Sequence, residues 1–143
     1  MKRASALLKN GRVLLQGYSQ TTSGVWIAHG PVHVAEIGQA SEIGRNILQA
    51  LNQSTHGVPH PSQTEWKAVQ APMPKAGGAK TWAGLAKGSK AVGLTCEGEL
   101  VIMMPSSGYE NNGGATLLER ALKSELSAED IGERLVEAFN ACG

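Results

Sequence analysis

The sequence predicts an α+β fold, with an antiparallel or mixed β-sheet built from hairpins and packed with α-helices, in a single domain over residues 1–143. Three observations predict it. Asn10-Gly11 lies between the apolar segments Ala6-Leu7-Leu8 and Val13-Leu14-Leu15, and Asn-Gly in that setting is the strongest short hairpin signal because both residues tolerate positive φ. From Ser41 to Leu51, the apolar residues Ile43, Ile47, Leu48 and Leu51 recur at helical spacing. Ile131, Leu135, Val136 and Phe139 do the same near the other end. A chain of 143 residues can bury a real core. Its 41% hydrophobic and 17% charged composition suits a globular protein rather than a disordered one.

The remaining elements follow in order. Trp26-Ile27-Ala28 and Val32-His33-Val34 predict further strand, interrupted by Gly30-Pro31. Ser41 is placed to cap the first helix, with Glu42 in its first turn. The stretch from His56 to Ser62 is expected to be loop, because Pro59 and Pro61 remove amide donors and fix φ. Ala71 to Gly78 reads as a second loop, and Thr81 to Lys87 as a short helix carrying Trp82 and Leu85. Ala91–Cys96 and Leu100–Met104 predict two strands joined at Glu97-Gly98, and Pro105 to Gly114 a polar loop. Ser127-Ala128-Glu129-Asp130 resembles a capping box opening the last helix.

The two halves echo each other. Asn10-Gly11 followed by Arg12-Val13-Leu14-Leu15 is repeated 87 positions later by Glu97-Gly98 followed by Glu99-Leu100-Val101-Ile102. Ile43-Gly44, Ile47 and Ala50-Leu51-Asn52 are matched 88 positions later by Ile131-Gly132, Leu135 and Ala138-Phe139-Asn140. Each half reads hairpin, polar loop, helix. Two such units could share one sheet and cover it with their helices. A degenerate duplication and the general likeness of all hairpins and amphipathic helices both stay open.

Net charge is +1, but residues 1–96 carry ten Lys or Arg against three acids, while residues 97–143 carry three against nine. Such asymmetry suggests a face of one sign. No apolar run approaches the roughly 20 residues that span a bilayer. The basic, briefly apolar start lacks a signal peptide's longer apolar region, and Cys96 and Cys142 make no disulfide framework. A cytoplasmic protein with reduced thiols is expected.

Motifs for chemistry are missing. There is no Gly-x-Ser-x-Gly elbow, no Gly-rich dinucleotide fingerprint and no phosphate loop. His29 and His33 flank Gly30-Pro31, which breaks the helix that zinc spacing would need, and His56 and His60 lie in a Gly-Pro loop. No enzyme activity, metal or cofactor is expected. Lys75, Lys80, Lys87 and Lys90 surround Trp82, so a small RNA-binding module over residues 75–90 is the alternative reading.

The stretch from Tyr18 to Val25 is polar at seven of its eight positions if glycine is counted, and it stands between an apolar run and Trp26. Asn10-Gly11, Tyr18-Ser19-Gln20-Thr21-Thr22, Gly24-Val25-Trp26-Ile27 and Gly30-Pro31, continued by Gly57-Val58-Pro59-His60-Pro61, Trp66-Lys67, Ala76-Gly77 and Trp82, and closed by Leu135, Ala138-Phe139 and Cys142, resemble a bacterial family. That family is the immunity proteins of contact-dependent growth inhibition systems. The resemblance covers nearly the whole chain and is least between Ser106 and Leu118. It implies a non-enzymatic antidote that binds the cognate C-terminal toxin domain of a CdiA-type surface protein in the cytoplasm. Toxins of such systems are often nucleases, frequently acting on tRNA. In this reading the polar stretch is scaffold: Tyr18 and Trp26 pack, while Ser19, Gln20, Thr21 and Thr22 satisfy backbone groups.

A nuclease holds phosphates in a basic cleft, and an inhibitor covering it would present carboxylates. The acidic half therefore supplies the expected toxin-binding residues: Glu97, Glu99, Glu110, Glu129, Asp130 and Glu133, with Tyr109 as an aromatic anchor.

Overall fold

The computed structural model describes residues 1–143. Asn10 and Gly11 adopt φ of 52° and 76°, the two left-handed residues a tight hairpin turn requires. They join β1 (Lys2–Lys9) to β2 (Arg12–Thr21). The chain returns as β3 (Trp26–Glu36), one strand rather than two. The register shifts between Gln16 and Tyr18, and β3 absorbs the extra residues around Gly30, whose φ is 95°. Pro31 falls among the residues of that bulge that have no partner on β2, so its missing amide breaks no ladder bond.

The second hairpin, β5 (Lys90–Glu97) and β6 (Leu100–Ser107), turns at Gly98. β5 lies antiparallel to β1 with Ser5 opposite Gly93. The sheet runs β3-β2-β1-β5-β6-β7, where β7 is Ala115–Thr116. β4 (His56–Val58) joins β2 in parallel, and β8 (Leu122–Glu125) joins β6 antiparallel. The expected α+β architecture with a mixed, hairpin-built sheet is what the structure has.

Several local expectations are corrected. Ala71–Gly78 is not all loop: α2 (Trp66–Gln70) is followed by α3 (Pro72–Ala76), and Pro72 suits a first helical position, where its missing N–H costs nothing. The expected short helix is α4 (Trp82–Ala86), capped by Thr81, whose Oγ1 accepts from the Gly84 amide at 3.0 Å. The longer helices have no such cap. α1 (Ala40–Asn52) starts before Ser41, and α5 (Ile131–Asn140) starts after the Ser127–Asp130 stretch; neither makes a side-chain capping bond. Packing holds both in place.

That packing follows the strand period of two. Ala4, Ala6, Val13, Leu15, Val92, Leu94, Val101 and Met103 face Ile43, Ile47 and Leu51 of α1 and Ile131, Leu135 and Phe139 of α5 in one buried cluster. Leu7, Leu14 and Ala91 point to the other side, where Met73 of α3 and Leu85 of α4 cover them. The second face of the sheet is thus covered at one end and open at the other.

The internal echo has a spatial counterpart. β1 and β5 form the central antiparallel pair, β3 flanks β2 as β8 flanks β6, and α1 packs on α5. The matched glycines meet there: a Cβ on Gly132 would strike the Ala40 carbonyl and the Gly44 amide nitrogen. No helix is long and apolar enough to cross a membrane.

Candidate functional site

The open half of the second face carries the site. Arg3 and Ser5 of β1 and Gly93 and Thr95 of β5 share the side occupied further along by Leu7 and Ala91. Small side chains there leave a depression of about 400 Å³, floored by Ser5, Gly93 and Thr95 and walled by Tyr18, Trp26 and Met104, with Arg3 at the rim. A second depression of about 360 Å³ shares Tyr18 and Trp26 and adds Trp66, Val69 and Trp82. A third, of about 330 Å³, sets Lys67, Lys75 and Lys80 around Trp82. All three tryptophans of the chain therefore stand on one half-covered face, each half-buried. Tyr109 and Trp82 both pack against the second buried cluster.

The polar stretch after Gly17 builds the walls. Ser54, at the end of α1, is 3% exposed; its Oγ donates to the Tyr18 carbonyl and accepts the Arg3 amide at 3.0 Å. Ser19 is fully buried and its Oγ accepts from the Thr55 amide at 3.0 Å. Thr21 Oγ1 accepts from the Val25 amide, and Gln20 Nε2 donates to the Gly24 carbonyl. The stretch is scaffold, as expected for Ser19, Gln20 and Thr21. Tyr18 and Trp26 do something the sequence did not disclose: they are half-buried walls of an open groove. The Arg3 guanidinium sits 4.8 Å from the Trp26 ring centroid, at cation–π range. None of the ion pairs in the structure involves it.

Both tyrosine hydroxyls have raised pKa values. Burial is the main cause for Tyr18, to which Tyr109 adds, and burial is the cause for Tyr109. A raised folded-state value means the folded chain holds those protons longer. This contributes stability that is fully present below the unfolded value, about 10, and lost as pH rises through the folded values. An alkaline unfolding transition is expected, and the Tyr18→Phe/Tyr109→Phe double variant should move its midpoint to higher pH. An unmoved midpoint in a pH titration of the circular dichroism would refute this account.

The seven residues expected to bind toxin do not gather in one groove, although the Glu99 carbonyl accepts from the Leu126 amide at 2.7 Å, beside the segment that carries Glu129 and Asp130. Glu97 and Glu99 flank the β5–β6 turn. Glu129, Asp130 and Glu133 line a groove with Arg45 between α1 and α5, on the opposite face from the tryptophans. Glu110 is exposed and held against another loop, its Oε2 accepting from the Gly88 amide at 2.6 Å. Tyr109 alone lies on the tryptophan side of the sheet, against the second buried cluster, and it lines none of the three depressions. The histidines are dispersed as well. His29 contacts Ser19 Oγ, and His33 contacts Gln53 Oε1. His56 stacks edge-on to Trp26, and His60 to Trp66 with Ser23 Oγ at 2.8 Å from its Nδ1. No group of three His, Cys, Asp or Glu side chains converges as metal ligands would. The aromatic face left one trace in the sequence: Ser5, Gly93 and Thr95 are small residues on strand faces where apolar ones would otherwise recur.

No protein-family model matches the chain, and no curated protein does. Solved structures do. One is a protein of unknown function from Neisseria meningitidis, 18% identical, with a TM-score of 0.79 over 99% of this chain and 95% of that one. Another is a chain of the CdiA-CT/CdiI toxin and immunity complex from Yersinia pseudotuberculosis, 16% identical, with a TM-score of 0.78 over 99% and 97%. From end to end, this chain shares the fold of a chain from a toxin and immunity complex.

Proposed function

We propose that the chain is an immunity protein that binds and neutralises a cognate contact-dependent growth inhibition toxin domain in the bacterial cytosol, the toxin being a nuclease that acts on tRNA. The likeness along 99% of the chain to one chain of a toxin and immunity complex carries this reading, and the resemblance of the sequence motifs agrees with it. The geometry supports a binding role. Trp, Tyr and Arg are the residues that most often dominate protein interfaces, and here they gather on one concave face.

The test is calorimetry against the toxin domain encoded beside this chain, at two salt concentrations, paired with growth of cells expressing that toxin. Binding on the order of nanomolar and rescued growth are expected. Failure to bind would discard the antidote.

One observation favours a second reading. Lys67, Lys75 and Lys80 surround Trp82, the mixture of cation and ring that single-stranded RNA uses. Three phosphate contacts would give a salt slope of about −2 in log–log form. RNA binding with that slope in place of toxin binding would establish it.

A further inference from the structure

The three depressions form one continuous surface, since Tyr18 and Trp26 border the first and second, and Trp82 borders the second and third. Its sign is uniform. Arg3, Lys67, Lys75 and Lys80 rim it, and no Asp or Glu lines any part of it. Glu65, the acid next to Trp66 in sequence, lines none of the three depressions; its carboxylate accepts the Ser62 amide at 2.8 Å, which lowers its pKa and keeps it charged outside them. Arg3 is left with a ring and no carboxylate.

Rings and cations together could also suit nucleic acid, but these rings are poor stacking platforms. Trp82 is fixed by its Nε1 donating to the Gln70 carbonyl at 2.8 Å. The Arg3 guanidinium lies over the Trp26 ring, which also meets His56 in a T-shaped contact, and Trp66 meets His60 in another. What stays open is a concave floor of Ser5, Gly93, Thr95 and Ala28 between ring edges. A floor of that shape takes a protruding side chain, and the basic rim takes carboxylates around it.

Resting on the immunity reading above, we propose that this aromatic face, and not the acidic half of the chain, grips the toxin, and that the toxin surface it takes is an apolar knob ringed by carboxylates. A surface of that sign is opposite to a cleft built to hold phosphates. The toxin would be held at a place other than its phosphate-binding cleft, with its activity blocked by the bulk of the antidote.

Calorimetry with the same toxin domain tests this on three variants, each first confirmed folded by its melting curve. Trp26→Ala should weaken binding by at least about 30-fold, the threshold of a hot spot. Lys67→Glu/Lys75→Glu/Lys80→Glu, which alters only exposed side chains, should weaken it as well, because the rim would then repel carboxylates. Glu129→Gln/Asp130→Asn/Glu133→Gln should bind within about threefold of the original chain. Tighter binding by the lysine-reversal variant would show a basic partner surface and overturn the proposal. So would unchanged binding by Trp26→Ala together with loss in the acid-neutralised variant. Binding of a single-stranded RNA 12-mer to the original chain, lost in Trp82→Ala, would overturn it in favour of RNA. Absence of toxin binding by the original chain would remove the immunity reading itself, an outcome distinct from the others.

Discussion

Gly132→Ala is expected to lower folding stability by about 3 kcal/mol or more, at the upper end of the cost of forcing extra atoms into a packed site. The added Cβ would meet the Ala40 carbonyl and the Gly44 amide nitrogen. Both are backbone atoms of α1, so no rotamer change can make room. α1 and α5 would have to separate, and that gap would open over Ile43, Ile47 and Leu135, all fully buried. With total stabilities of about 5–15 kcal/mol, such a loss leaves a large unfolded fraction on mild heating. Gly44→Ala is the control. Its Cβ would sit 3.3 Å from Ile131 Cγ2, a side-chain atom that can yield, and the cost should stay near 1 kcal/mol. Urea unfolding of both variants checks the pair, and equal midpoints would mean that the helices do not approach closely at these glycines.

Those glycines also explain what the sequence could and could not disclose. Periodicity located α1 and α5 because their apolar stripes are long and regular. The matched Ile-Gly pairs were visible as an echo, and the structure sets them against each other. Asn10-Gly11 specified its turn because both residues take left-handed φ. Short elements gave no comparable signal. α2 and α3 have five residues each and β7 has two, too few for a period to emerge. Helix ends were misplaced because capping residues were sought, whereas α1 and α5 begin where packing begins.

The site was less legible than the fold. Charge is additive along a sequence, so the acidic half was conspicuous, yet folding sets Glu97 at the β5–β6 turn, Glu110 on the Gly88 amide and Glu129 in the groove between α1 and α5. The aromatic face is assembled from β2, β3, α2 and α4, and nothing in the spacing of Tyr18, Trp26, Trp66 and Trp82 announces that they will meet. Only pairing does so: β1 sets Arg3 opposite Tyr18, and β3 sets Ala28 opposite Tyr18 and Trp26 opposite Gln20.

The second large effect separates the core from that face. Phe139 is the one phenylalanine in the chain and is fully buried. It is also the one aromatic residue in the main cluster, among Ala, Val, Ile and Leu side chains with single Cys and Met residues. Phe139→Ala should therefore cost about 3–5 kcal/mol, the range for truncating a fully buried Phe and leaving a cavity. At about 3–5 °C per kcal/mol for a chain of this size, the melting temperature should fall by roughly 10–25 °C. Phe139→Leu should cost much less, because it keeps most of the buried volume; Leu51 fills the echoed position of α1 at 1% exposure. Phe139 belongs to α5 and packs in the main cluster, on the side of the sheet away from Trp26. Below its melting transition, Phe139→Ala should bind toxin as the original chain does, whereas Trp26→Ala should lose binding while keeping most of its melting temperature. If the two variants instead lose binding and stability in the same proportion, the aromatic face is a weak outer part of the core and not a surface set aside for a partner.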